Sequence, residues 1–265
     1  MSPLFTVTGR DVLFAHWPVA PETLRRRVPD VLAPATFDGS GWVSVLALEN
    51  GPAGPGRTTV PTAFDGTPQL NLRTYVKPAG SADADEDGDG NDAEDGDEEV
   101  GVYFLSLDNG RRLAAAAGRR LFGLPVHHAS MRVTRRDDRI TFRSRRRGRP
   151  MAVFQARYRP TGATYRAEPG TLEAFCVERF RYYVPASEDR RPGALQSGRT
   201  RDRVRVGTVD HDPWELRAVE AALRTNTLFE AAGLPTPTTD PVVHYSPGFE
   251  MGVEPIETRR VPGAR

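Results

Sequence analysis

The clearest pattern along the chain is a period-two alternation over residues 69–77. Leu70, Leu72, Thr74 and Val76 fall on one side, and Asn71, Arg73, Tyr75 and Lys77 on the other. This predicts a strand with one apolar and one polar face. Residues 100–108, VGVYFLSLD, predict its hairpin partner across an expanded turn. The run GWVSVLALEN at 41–50 predicts a largely buried strand, and the Gly-, Pro- and Thr-rich stretch 51–68 a long loop. Alternation over 126–135, 139–146 and 151–159 predicts an antiparallel meander with Asp137 and Asp138 at its first turn. Further strands are expected at 181–185, 203–209 and 214–223, with 241–257 completing the sheet.

Helices are fewer. Pro21 and Glu22 open one whose apolar side carries Leu24 and Val28 before Pro29 closes it. The segment Leu113 to Leu121 is a second, capped by Asp108 or Asn109 and stopped by Gly123 and Pro125. EPGTLEAFCVERF at 168–180 is a third that buries Leu172, Phe175 and Cys176, and 226–235 is a short fourth. The pattern describes a mainly antiparallel α+β protein, read as a single domain over 1–265.

Composition alters this picture in two places. The chain of 265 residues has a formal net charge of only +1, yet residues 81–99 hold 11 of its 35 acidic residues and no basic one. The remainder is strongly basic, and the acidic run is expected to be a solvated, disordered insert in the turn between the two hairpin strands. A single cysteine, Cys176, excludes an internal disulfide and a multi-cysteine metal site. No apolar stretch approaches the length of a membrane span or a signal sequence, so a cytoplasmic protein with no membrane partner is expected.

Six segments in a fixed order carry a family resemblance: FAHWPVAPETLRRRVPDVL, FDGSGWVSVLAL, QLNLRTYV, GVYFLSLDNGRRLAAAAGRRLFGLPVHHASM, PGTLEAFCVERF and VVHYS. Together they resemble the YqjF-like family of uncharacterised proteins, domain of unknown function 2071, from about residue 11 to 253. That family is similar to the acetoacetate decarboxylase-like superfamily. The resemblance implies a closed, cone-shaped antiparallel β-barrel with peripheral helices and a ligand cavity inside, and no established activity.

Acetoacetate decarboxylases use a lysine Schiff base activated by desolvation and a neighbouring cation. The only lysine here is Lys77. Its neighbours Val76 and Pro78 supply no cation, and Arg73 lies about 13 Å back along an extended strand. Lys77 is therefore expected to be a solvated strand-end residue, and any enzyme of this sequence not a typical Schiff-base decarboxylase. Arg73 and Tyr75 are better candidates, because the polar face of this strand lines either the interior or solvent. An inward Arg73 needs an anion, either Glu178 or a ligand carboxylate. His244 is expected to point inward from VVHYS, with Tyr245 outward. Arg73, Tyr75, Glu178 and His244 form the expected ligand-binding set for a small carboxylate or keto acid.

No cofactor is expected, and no metal: His127 and His128 are adjacent on one strand and face opposite ways, while His16, His211 and His244 show no ligand spacing. The competing reading is a non-enzymatic nucleic-acid-binding or regulatory protein that uses its arginine surface, notably Arg25 to Arg27, Arg135, Arg136, Arg143, Arg145 to Arg147 and Arg149. Few aromatic residues lie among these arginines for base stacking, which disfavours nucleic acid. A homo-oligomer is left open.

Overall fold

The computed structural model describes residues 2–80, 99–112, 115–116, 118–119, 123–186 and 202–261. Strands dominate: β1 (Phe5–Val19), β2 (Leu32–Pro34), β3 (Thr36–Phe37), β4 (Ser40–Pro55), β5 (Pro68–Pro78), β6 (Gly101–Asn109), β7 (Val126–Arg136), β8 (Arg139–Arg146), β9 (Val153–Tyr165), β10 (Arg181–Pro185), β11 (Arg203–His211), β12 (Leu216–Asn226), β13 (Val242–Val253) and β14 (Glu257–Arg260). Short helices occupy Pro21–Arg25, Leu172–Val177 and Leu228–Ala231. The described residues of the predicted helix after β6, at 112, 115, 116, 118 and 119, are also helical, and Asn109 Oδ1 caps its start by accepting from the Arg111 amide. The acidic insert lies outside the described residues from 81 to 98.

The strands join in the order β14-β11-β10-β6-β7-β8-β9-β12-β13-β1-β4-β5-β2, with additional pairings of β11 to β13 and of β6 to β5. All pairs are antiparallel except β6 with β7 and β6 with β10. The hairpin read from the sequence is present: β5 faces β6 with Tyr75 opposite Val102 and Val76 opposite Gly101. So is the meander β7-β8-β9, whose first turn places Asp137 at a positive φ of 54°.

The sequence reading passes over the structure's second-longest strand. β1 runs 15 residues between β13 and β4 and is buried almost continuously from Val12 to Trp17. A strand covered on both faces loses the alternation that betrays a half-exposed one. On β1, β4 and β5 alike, one face enters a core with the meander and helix Leu228–Ala231: Leu13, Ala15, Trp17, Val43, Val45, Ala47, Leu70 and Leu72. The opposite face meets helix Leu172–Val177 and Trp214, through Val12, Phe14, Trp42, Leu46, Leu48 and Tyr75. At Leu72/Arg73 the β5–β6 register shifts, Leu72 facing Ser106 and Arg73 facing Phe104, so Leu105 is the extra residue of a bulge. Among the described residues no helix is long and apolar enough to cross a membrane.

Candidate functional site

The polar face of β5 turns inward. Arg73 and Tyr75 are 8% and 0% exposed, because helix Leu172–Val177 covers the side of the sheet that the sequence left open to either interior or solvent. Thr171 caps this helix, its hydroxyl accepting from the Ala174 amide at 3.3 Å. With only six residues the helix ends at once, which frees its last carbonyls. The Cys176 carbonyl accepts two bonds, from Arg73 Nη2 and from the Tyr75 hydroxyl, each at 2.7 Å.

From Tyr75 a chain of buried polar groups continues across the strands. Tyr75 Oη lies 2.6 Å from Ser44 Oγ on β4, and Ser44 Oγ lies 2.6 Å from His16 Nδ1 on β1. Register produces this line, since Ser44 is opposite both His16 and Arg73. β1 also pairs with β13 so that Phe14 faces His244 and His16 faces Val242; His16 and His244 are thus diagonal neighbours, with ring centroids 5.6 Å apart. His244 Nδ1 in turn lies 3.0 Å from the hydroxyl of Tyr165, which is 40% exposed.

Glu178 approaches the other flank. Its Oε1 accepts from the Trp214 amide at 2.9 Å, and Trp214 meets Phe14 edge-on at 5.0 Å, with Phe14 stacked along His16. Glu178 does not serve as the internal counter-ion expected for Arg73. Among the described residues no carboxylate pairs with Arg73, because the helix end presents a carbonyl to it instead. Among the described residues, Arg73 Nε, His16 Nε2, His244 Nε2 and Glu178 Oε2 are buried without hydrogen-bond partners. Tyr245 corrects a second expectation: it is 6% exposed rather than outward, packed in the meander-side core with its hydroxyl on Asp11 Oδ1 at 2.7 Å.

Burial sets the charge states. The imidazole of His16 is held well below its usual pKa by desolvation, then by His244 and Arg73. His244 is lowered by the same desolvation. Tyr75 is pushed up by burial, and burial pushes the Cys176 thiol up to about 12, which disfavours its thiolate at neutral pH. Lys77 sits at the partly exposed end of β5, opposite Ala33. His211 stands apart from the two paired histidines in its contacts, stacked on Phe180 at 4.6 Å with Nδ1 on the Asp212 carbonyl. No group of three or more His, Cys, Asp or Glu among the described residues could hold a metal ion.

Of these residues the sequence pattern points to Arg73, Tyr75, Glu178 and His244, and not to Ser44, Tyr165 or the Cys176 carbonyl, while His16 shows no ligand spacing. A signal existed for two of them. His16 and Ser44 are isolated polar residues within the runs 12–19 and 42–48, where both faces are apolar.

The arrangement of strands is that of the acetoacetate decarboxylase-like enzymes. The structure resembles acetoacetate decarboxylase from Legionella pneumophila, with a TM-score of 0.57 and 10% identity over 97% of this chain and 87% of that one. It also resembles the enduracididine biosynthesis enzyme MppR complexed with pyruvate, at a TM-score of 0.58 and 9% identity, covering 97% and 91%. The chain itself belongs to the DUF2071 family of uncharacterized conserved proteins, which it matches over residues 6–250. A relative, the uncharacterized protein YqjF of Bacillus subtilis (strain 168), is 34% identical over 239 residues, 90% of this chain and 86% of its own.

Proposed function

We propose that the protein is a single domain that binds a small carboxylate, of the 2-keto acid class, on the polar face formed by His16, Ser44, Arg73, Tyr75, Glu178 and His244. The observation that carries this reading is the buried Arg73 guanidinium without a carboxylate partner among the described residues. A buried cation facing a neutral carbonyl and the Tyr75 ring but no carboxylate is costly, and a ligand carboxylate would offset that cost through charge-assisted hydrogen bonds. The pairings β5-β6-β10-β11-β13-β1-β4-β5 form a circuit, which supports a closed cone with these side chains inside. The likeness in fold to an enzyme complexed with pyruvate supports the ligand class. Thermal unfolding in the presence of pyruvate, acetoacetate and acetate tests it: midpoints should rise with keto-acid concentration. No shift with any of them, or the same shift in Arg73→Met, contradicts it.

A second reading draws on the meander. Arg132 and Arg136 on β7, Arg139, Arg143 and Arg145 on β8 and Arg157 on β9 are all exposed, with Arg132 opposite Arg143 and Arg136 opposite Arg139. Like charges placed opposite each other destabilise a sheet unless something neutralises them, which favours a polyanion such as nucleic acid. Binding to an oligonucleotide that does not weaken as salt rises would remove this reading.

A further inference from the structure

We propose that His16 Nε2 is a base that removes a proton from the carbon beside the carbonyl of a bound 2-keto acid, an inference that rests on the binding reading above. Counting donors along the buried chain fixes the tautomer. The Cys176 carbonyl can only accept, so at 2.7 Å the single Tyr75 proton points to it. Ser44, 2.6 Å from Tyr75 Oη, must then donate to that oxygen, since two unprotonated oxygens at this distance repel. With its proton committed, Ser44 can only accept from His16, 2.6 Å away, so Nδ1 carries the hydrogen. The lone pair is therefore on Nε2, which is buried and has no hydrogen-bond partner among the described residues. Desolvation and the nearby Arg73 keep this ring neutral, the form a base requires.

The step balances without a further reactant. Nε2 takes the proton from C3 of the keto acid, and the C–H electron pair becomes the C2–C3 double bond. The carbonyl pair moves to oxygen, and this enolate forms beside the Arg73 cation. Return of a proton from the His16 imidazolium restores the acid. His244, whose ring centroid is 5.6 Å from that of His16 and whose Nδ1 is bonded to the half-exposed Tyr165, is in this proposal the titratable group that exchanges that proton with solvent.

In heavy water the protein should therefore wash the methyl hydrogens out of pyruvate, followed as loss of their proton NMR signal against a protein-free control. His16→Asn, whose amide still donates to Ser44, should lose roughly 100-fold or more of the exchange rate measured at saturating pyruvate. Ser44→Ala should slow exchange and release the tautomer, and ¹⁵N spectra of the histidines should show one ring as the Nδ1–H form in the unmodified protein and a mixture in the variant. Exchange unaltered in His16→Asn, or a wild type that binds pyruvate without exchange, overturns the inference while leaving the binding reading intact. Absence of both binding and exchange overturns the two together.

Discussion

Arg146 and Arg73 are both buried, at 3% and 8% exposure, yet their surroundings differ in kind. Arg146, at the end of β8, places Nε 2.7 Å from Asp108 Oδ1 and Nη2 2.8 Å from Ser106 on β6. Burial pushes the Asp108 carboxyl above its usual range, with the Arg146 guanidinium pulling the other way. This is an internally matched pair that ties the meander to the neighbouring strand. Arg73 meets a neutral carbonyl and the ring of Tyr75, 5.7 Å from its centroid, and among the described residues its Nε has no hydrogen-bond partner. One cation is completed by the fold, while the other is left for something the fold does not supply.

The largest effect should separate these two. Arg146→Met leaves Asp108 buried and unmatched, and urea unfolding should show a loss of about 3–5 kcal/mol. Arg73→Met removes a buried charge while Tyr75 still donates to the Cys176 carbonyl, so its stability should change by no more than about 1 kcal/mol. Similar losses in both variants would mean that Arg73 is also structural.

Next in size is ligand stabilisation, about 2.7 kcal/mol at 100 times the dissociation constant in the wild type. It should persist in Lys77→Arg, and borohydride with a keto acid should trap no adduct, because Lys77 stands at the partly exposed end of β5, opposite Ala33. A trapped adduct lost in Lys77→Arg would return the site to Schiff-base chemistry.

A smaller effect concerns pH. The folded-state pKa of His16 is lowered, so below the ordinary histidine value of about 6.5 the unfolded chain binds the proton that the folded one refuses. Stability should fall as pH drops through and below 6.5, and His16→Asn should flatten that slope, with His244 supplying the remainder in the same direction. A thermal-midpoint series from pH 7.5 to 5 reads it; an unchanged slope in the variant contradicts a buried neutral His16. Smallest of all, Cys176 should resist a thiol reagent at neutral pH until the protein unfolds.

Where a strand had one distinctive face the sequence revealed it. The alternation in 69–77 located β5 and placed Arg73 and Tyr75 together, and the β5–β6 hairpin and the meander followed from the same period. β1 stayed hidden because Leu13, Ala15 and Trp17 pack on one side while Val12 and Phe14 pack on the other, which erases the period. With β1 went the site's cross-strand logic: only the β1–β13 register brings His16, 228 positions away in sequence, beside His244. The Cys176 carbonyl was equally invisible, since backbone acceptors carry no sequence signature and this one is exposed by the ending of a six-residue helix.

Whether Arg73 is there for a ligand decides the function. Calorimetric titration of pyruvate into the wild type and Arg73→Met, side by side, measures this directly. Saturable binding to the wild type is expected, and none to a variant that remains folded. Equal binding to both, or a folded wild type that takes up no keto acid, would contradict it.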